Sequence, residues 1–214
     1  MSEEDEIIVL HYTVCGDNTL VLHVLSRNEG RCALLVRGAG KNISFFQPLN
    51  ILECMVSANP KSSLSTASKF HSRKALNGLR SSYGKGAISM FLAEVLYRSI
   101  REGMKDDGLY DWCIQEILLL DSLEGDFANF HIRFLLDYAA ASGFGADYDK
   151  LLPFMEEDAA DIAKFLRCSW AEAMFIPLRG GQRSAICRKL IRYLEFHLEV
   201  PLNIRSLSVL GELF

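Results

Sequence analysis

Ile7-Ile8-Val9-Leu10-His11-Tyr12-Thr13-Val14, then Cys15-Gly16-Asp17-Asn18, then Thr19-Leu20-Val21-Leu22-His23-Val24-Leu25 is the stretch that sets the fold class. The first run is β-branched and apolar, the second segment is a turn, and the third alternates apolar with polar positions in part. Working outward, Asn28-Glu29-Gly30 makes the next turn and Cys32 to Val36 a third apolar run. Gly38-Ala39-Gly40 closes that run. Phe45 to Val56 reads as a fourth strand, with Pro48 near its start marking an edge or bulge. Ser63 to Phe70 is a poorer fifth.

Five short strands joined by Gly-rich turns fit a small closed barrel of the OB type. After about residue 80 the period changes. Ala87, Ile88, Phe91, Leu92, Val95, Leu96 and Ser99 form the stripe of an amphipathic helix. A second helix is expected from the cap Asp107 to Leu123, and a third from Phe127 to Ser142, stopped by Gly143. Residues 143–155 read as a connection, Glu156 to Phe165 as a weak helix, and Gly181 to Leu198 as a strong one ended by Pro201. The expected class is α+β: an OB-fold barrel over residues 1–78 followed by an all-helical domain over 79–214.

The 214 residues carry a formal charge of −4, which at first argues against a polyanionic partner. By region the picture changes. Four acids lie within the first six residues. Residues 7–80 hold nine basic side chains against three acidic ones, a local +6, and residues 81–214 hold 14 against 20, a local −6. Arg27, Arg31, Arg37, Lys41, Lys61, Lys69, Arg73 and Lys74 sit in or beside the barrel's turns. Such a surface suits a phosphate backbone bound by counterion release. It equally suits a solvated face that keeps the domain soluble. A second basic stretch, Arg179, Arg183, Arg188, Lys189 and Arg192, has no acid between Ala173 and Leu194. It fits a nucleic-acid track, an acidic peptide, or a favourable charge in the C-terminal half of its helix.

Catalytic patterns fail on inspection. Gly38-Ala39-Gly40-Lys41-Asn42 lacks the Gly at 35 and the Ser or Thr at 42 that a phosphate loop requires. Tyr83-Gly84-Lys85-Gly86 likewise opens a helix without that motif, and its glycines are expected to serve the interdomain turn. Neither a G-x-S-x-G elbow nor an H-E-x-x-H helix occurs. Asp106-Asp107 and Glu156-Glu157-Asp158 are explained by helix capping, and His131 among Phe130, Ile132 and Phe134 by packing. No catalytic residue and no cofactor is expected.

The six cysteines, at 15, 32, 54, 113, 168 and 187, are never closer than 17 residues. They read as reduced, packed thiols. A metal site from His11, Cys15, His23 and Cys32 is permitted by strand alternation, but such loose spacing is common by accident. No apolar run reaches the ~20 residues of a membrane span. The acidic Ser2-Glu3-Glu4-Asp5-Glu6 is unlike a secretory leader. A cytoplasmic protein without a membrane partner is expected.

His11-Tyr12-Thr13, Gly16 to Arg31 and Leu34-Leu35-Val36-Arg37-Gly38-Ala39-Gly40-Lys41 resemble the N-terminal barrel of the RecO family of bacterial DNA repair proteins. Phe46-Gln47-Pro48-Leu49 is similar to that family's following strand. Phe91 to Arg98, Phe127-Ala128-Asn129-Phe130-His131 and Gly143-Phe144 resemble its helical domain, and Tyr193-Leu194, His197-Leu198 and Arg205-Ser206-Leu207 its last helix and tail. The resemblance implies an OB fold plus a helical domain that bind single- and double-stranded DNA and anneal complementary strands. It also implies help in replacing single-strand-binding protein by recombinase. The implied partners are RecR and the acidic-apolar C-terminal tail of single-strand-binding protein, in a nucleoid-associated cytoplasmic setting. Many members carry four cysteines as a zinc site; this chain has no such pairs, so no zinc is expected. Relatives often carry more basic residues in the loop at 37–42, where this chain has Arg37 and Lys41. On this reading Arg37 and Lys41, with Arg27, Arg31, Arg73 and Lys74, are the expected DNA contacts. Arg188, Lys189 and Arg192 follow, while Arg133 or Arg179 would rim a peptide groove.

Overall fold

The computed structural model describes residues 2–41, 43–59 and 64–214, except for the side chain of Lys41. Lys61, and Ser63 at the expected start of the fifth strand, lie outside these residues. The barrel strands are β1 (Ser2–Gly16), β2 (Thr19–Ser26), β3 (Gly30–Arg37), β4 (Ile51–Ser57) and β5 (Ser65–Ser72). They close in the order β1-β2-β3-β5-β4. Every neighbouring pair is antiparallel except β3 with β5, which run parallel. This is the five-stranded closed OB topology expected from the strand pattern.

Alternation fills the interior. Ile7 and Val9 of β1, Leu20, Leu22 and Val24 of β2, and Leu34 and Val36 of β3 form one buried cluster with Phe46, Leu52, Cys54 and Ala67. The acidic segment at the N-terminus is not a tip outside the barrel. Glu3 to Glu6 belong to β1 and pair with Val56 to Glu53 of β4.

The expected fourth strand is shortened. Ile43–Phe46 is a 3-10 turn, and Leu49 has a positive φ of 64° before β4 begins at Ile51. Pro48 lacks the N–H that a continuing ladder needs, and Phe46 caps the core instead, edge-on to Phe70 at 5.0 Å.

The helices are α1 (Asn77–Ser81), α2 (Tyr83–Ser99), α3 (Asp107–Ser122), α4 (Phe130–Ala141), α5 (Tyr148–Met155), α6 (Ala159–Arg167), α7 (Trp170–Met174), α8 (Gly180–Leu198) and α9 (Leu207–Leu213). Residues 143–155 are thus not wholly a connection, because α5 starts at Tyr148 with Asp147 accepting from the Lys150 N–H. Tyr83 to Gly86 form the opening turn of α2, as expected. The cap of α3 is Asp106, whose carboxylate accepts from the Leu109 N–H at 2.9 Å.

The chain forms two compact units, Met1–Leu76 with Leu96–Ile117, and Asn77–Val95 with Leu118–Phe214. In the first, Glu102 adds a parallel bridge to Arg31 on β3, and the Gly103 N–H donates to the Arg31 carbonyl at 2.8 Å. In the second, α8 packs against α4, α5 and α9 around buried Phe134, Tyr138, Leu151, Ile186, Leu190 and Leu194. Among the described residues, no helix is long and apolar enough to cross a membrane.

Candidate nucleic-acid interface

The barrel's cations divide into two sets. Arg27 and Arg31 flank the β2–β3 turn and turn inward. Arg27 pairs with Glu6 at 3.3 Å and Asp111 at 2.6 Å, and its guanidinium lies 4.4 Å from the centre of the Tyr110 ring. Arg31 donates through Nε to the Ile100 carbonyl at 2.6 Å, pairs with Glu102 at 3.4 Å and stacks over Tyr97. Arg73 closes onto the other oxygen of Glu6. These three expected DNA contacts are engaged within the protein.

Arg37, Lys69 and Lys74 are exposed and carry no ion pair among the described residues. Arg37 ends β3 opposite Thr19, one step beyond the Val36–Ala67 pair, on the outward-facing side. Lys69 sits where the β4–β5 register slips between Glu53 and Met55, with a positive φ of 55°. A bulge of this kind re-aims the side chain that it carries. Lys74 follows the end of β5. Residue 68 follows the Val36–Ala67 pair on β5, so the path from Arg37 across to β5 and along it to Lys74 is at most about 27 Å.

The loop after Arg37 is held in place. Asn18, at the tip of the β1–β2 hairpin, accepts the Gly38 N–H on its carbonyl at 2.8 Å and the Gly40 N–H on its side chain at 2.9 Å. The backbone of Lys41 completes a 3-10 turn there, while its side chain lies outside the described residues. Val14, paired with buried Leu20 on the same hairpin, is 63% exposed. The site therefore offers exposed cations and an apolar side chain, residue types suited to a phosphate backbone and to bases.

The first compact unit is not basic as a whole, contrary to the +6 counted over residues 7–80. β1 brings the four N-terminal acids into the barrel, and Glu102, Asp106, Asp107, Asp111 and Glu116 lie in the segment packed with it. The first compact unit holds eleven Lys and Arg against twelve Asp and Glu, a net −1. Its positive character is local to the Arg37 side.

In α8, Arg188 and Arg192 are exposed on one face, but Lys189 is not. Its ammonium is buried and donates to Asp158 at 2.7 Å, Glu157 at 2.9 Å and the Met155 carbonyl at 2.9 Å. One residue along a helix turns a side chain by about 100°, which is why Lys189 leaves its neighbours' face. It clamps the turn at 156–158 and is withdrawn from the expected DNA-contact set. Arg188 and Arg192 line a groove of about 450 Å³ between α8 and α9, with Ile191, Leu207 and Arg205. Of the residues expected at a peptide groove, Arg133 is bound to Asp137 at 2.8 Å and the Phe165 carbonyl at 3.0 Å, and Arg179 is exposed at the start of α8.

Among the described residues, no group of three or more His, Cys, Asp or Glu is arranged to hold a metal. His11 and His23 are cross-strand partners whose rings stack at 5.8 Å, with Tyr97 tilted onto both. Cys15 is exposed, and Cys32 packs against the barrel core. Burial pushes the Cys32 and Cys54 thiols up to about 12, which keeps them protonated and unreactive at neutral pH.

A closed β1-β2-β3-β5-β4 barrel accompanied by a helical unit defines an OB-fold protein. Comparison with known families narrows this. The model for the N-terminal part of Recombination protein O matches residues 1–75, and that for its C-terminal part matches residues 80–151. The chain belongs to the RecO family. It is 27% identical to DNA repair protein RecO of Bacteroides fragilis over 97% of both chains, and 24% identical to that of Azobacteroides pseudotrichonymphae over 100% of both. It is 30% identical to that of Porphyromonas gingivalis over 60% of this chain and 55% of that one.

Proposed function

We propose that this chain is a DNA repair and recombination protein that binds DNA, anneals complementary single strands and helps load recombinase onto strands coated by single-strand-binding protein. The observation that carries the reading is the set Arg37, Lys69 and Lys74, exposed and free of ion pairs among the described residues, where Arg27, Arg31 and Arg73 are paired. The action is physical and the protein is not an enzyme. Cations neutralise the phosphates of two strands, the strands approach, and base pairing supplies the specificity. RecR and the tail of single-strand-binding protein are the proposed partners, in the cytoplasm at the nucleoid.

Strand annealing by the purified protein, titrated with salt and with single-strand-binding protein, tests this. Annealing that weakens steeply with salt is expected. Neither annealing nor binding at low salt would end the DNA assignment.

A second reading is favoured by the α8–α9 groove, where Arg188, Arg192 and Arg205 surround an apolar floor of Ile191 and Leu207. That chemistry suits an acidic-apolar peptide, and on this reading the protein is an interaction scaffold. The two readings are compatible on one chain. Annealing by the protein alone, without partners, separates the first from the second.

A further inference from the structure

Just after β3, three consecutive main-chain N–H groups point at one residue. The Asn18 carbonyl accepts from Gly38 at 2.8 Å and from Ala39 at 3.4 Å, and the Asn18 side-chain oxygen accepts from Gly40 at 2.9 Å. A run of free N–H groups in a glycine-rich turn is a cradle for phosphate. Here the run is spent within the protein, so its side chains are what the turn can offer a polyanion.

Asn18 is placed to control that turn. It sits at the tip of the β1–β2 hairpin and directly precedes Thr19, the cross-strand partner of Arg37. The chain leaves Arg37 through Gly38 at φ 75°, passes Ala39, which is buried in the barrel cluster, and reaches Lys41 through Gly40. The contact at Gly40 is close. A Cβ there would lie 3.2 Å from the Asn18 side-chain oxygen. The bonds to the Asn18 carbonyl survive a substitution at 18, whereas the bond to Gly40 depends on the side chain. Asn18 is therefore a point at which the order of the Ala39–Lys41 turn can be changed without removing a charge.

We infer, resting on the DNA reading above, that Asn18 is a positioning residue for DNA binding. Without touching the strand, its side chain holds the Ala39–Lys41 turn in its binding shape before DNA arrives. Where that shape is only partly populated, the apparent affinity falls by the populated fraction. A single hydrogen bond of this kind favours the ordered form by a factor of about three to ten. The loss falls equally at every salt concentration, because the number of phosphates met is unchanged.

The test is binding of a labelled single-stranded oligonucleotide, read by fluorescence anisotropy across a salt series. Asn18→Ala is expected to bind about three- to tenfold more weakly throughout, with the parent's slope of log K against log salt and a near-parental Tm. Lys41→Ala is expected to flatten the slope, and adding Asn18→Ala to it is expected to cost no further affinity. Hydrogen exchange at the Gly40 N–H of the DNA-free protein, followed by NMR, is expected to quicken in Asn18→Ala. It is expected to return to the parent rate in Asn18→Asp, whose carboxylate accepts the same bond. Parent-like affinity in Asn18→Ala would overturn the positioning role while leaving the DNA reading standing. A loss that persists in full beside Lys41→Ala would also overturn it, because Asn18 would then touch the strand. No binding by the parent at low salt would remove the DNA reading and the positioning role together.

Discussion

The two ends of β3 adopt the same backbone conformation in opposite surroundings. Gly30 opens the strand at φ 70° and Gly38 follows it at φ 75°. A Cβ on Gly30 would lie 2.0 Å from the Met104 carbonyl oxygen, whereas one on Gly38 would meet nothing within 4 Å. The arginines beside them differ in the same sense. Arg31 is spent on Ile100 and Glu102, while Arg37 carries no ion pair among the described residues. One end of the strand is packed against its neighbours and the other is left open to solvent. Equal charge in the sequence is therefore unequal charge in the structure.

The comparison breaks most sharply at the glycines. Gly30→Ala combines a left-handed backbone with a main-chain clash and is expected to cost about 3 kcal/mol or more. Gly38→Ala carries only the backbone strain, about 1 kcal/mol. Urea denaturation of the two variants measures the difference, and similar losses would show the two ends to be alike.

The arginines give the next largest effect. Arg31→Ala strands the Ile100 carbonyl and uncovers Tyr97, at a cost of about 1–2 kcal/mol, with little change in DNA affinity. Arg37→Ala is expected to stay within about 0.5 kcal/mol of the parent in stability while weakening binding to every DNA sequence alike.

The smallest effect is a titration at the packed end. Asp5 accepts from the Ser26 hydroxyl at 2.6 Å and from the Asn28 N–H at 3.3 Å, yet its burial raises the carboxyl above the usual range. A raised carboxyl binds its proton more tightly in the folded state, so its stabilisation is full at acid pH and is lost as pH rises through the raised value. Stability relative to Asp5→Asn is expected to be greatest at acid pH and to decline toward neutrality. A difference that grows with pH would reverse the assignment.

The sequence announced the barrel because period-2 alternation and Gly-rich turns are local signals, and four of the five strands start or end within a few residues of their patterns. The fourth moved because Pro48 and Leu49 favour a turn that the apolar run Phe45 to Val56 conceals. α5 was hidden by the Gly-rich start of its segment and by Pro153, and short α7 and α9 offer too few turns to show a period.

The candidate site was only half legible. Basic residues can be counted in sequence, but their partners cannot: Glu6, Asp111 and Glu102 reach Arg27 and Arg31 only after folding. Lys189 looked equivalent to Arg188 until the helix turned it toward Asp158. The packing of Phe214 against Phe127 and His131 gave no signal, because these residues meet only in space.

On the proposed function, DNA follows the open end of β3 and the line of β5. The most direct test is the salt dependence of affinity for a single-stranded oligonucleotide. Two triple variants are compared, Arg37→Ala with Lys69→Ala and Lys74→Ala, and Arg27→Ala with Arg31→Ala and Arg73→Ala. Removing three phosphate contacts is expected to lower the slope of log K against log salt by roughly 2 in the first variant. The slope in the second is expected to be unchanged. A flattened slope in the second variant, with the first like the parent, would contradict the account.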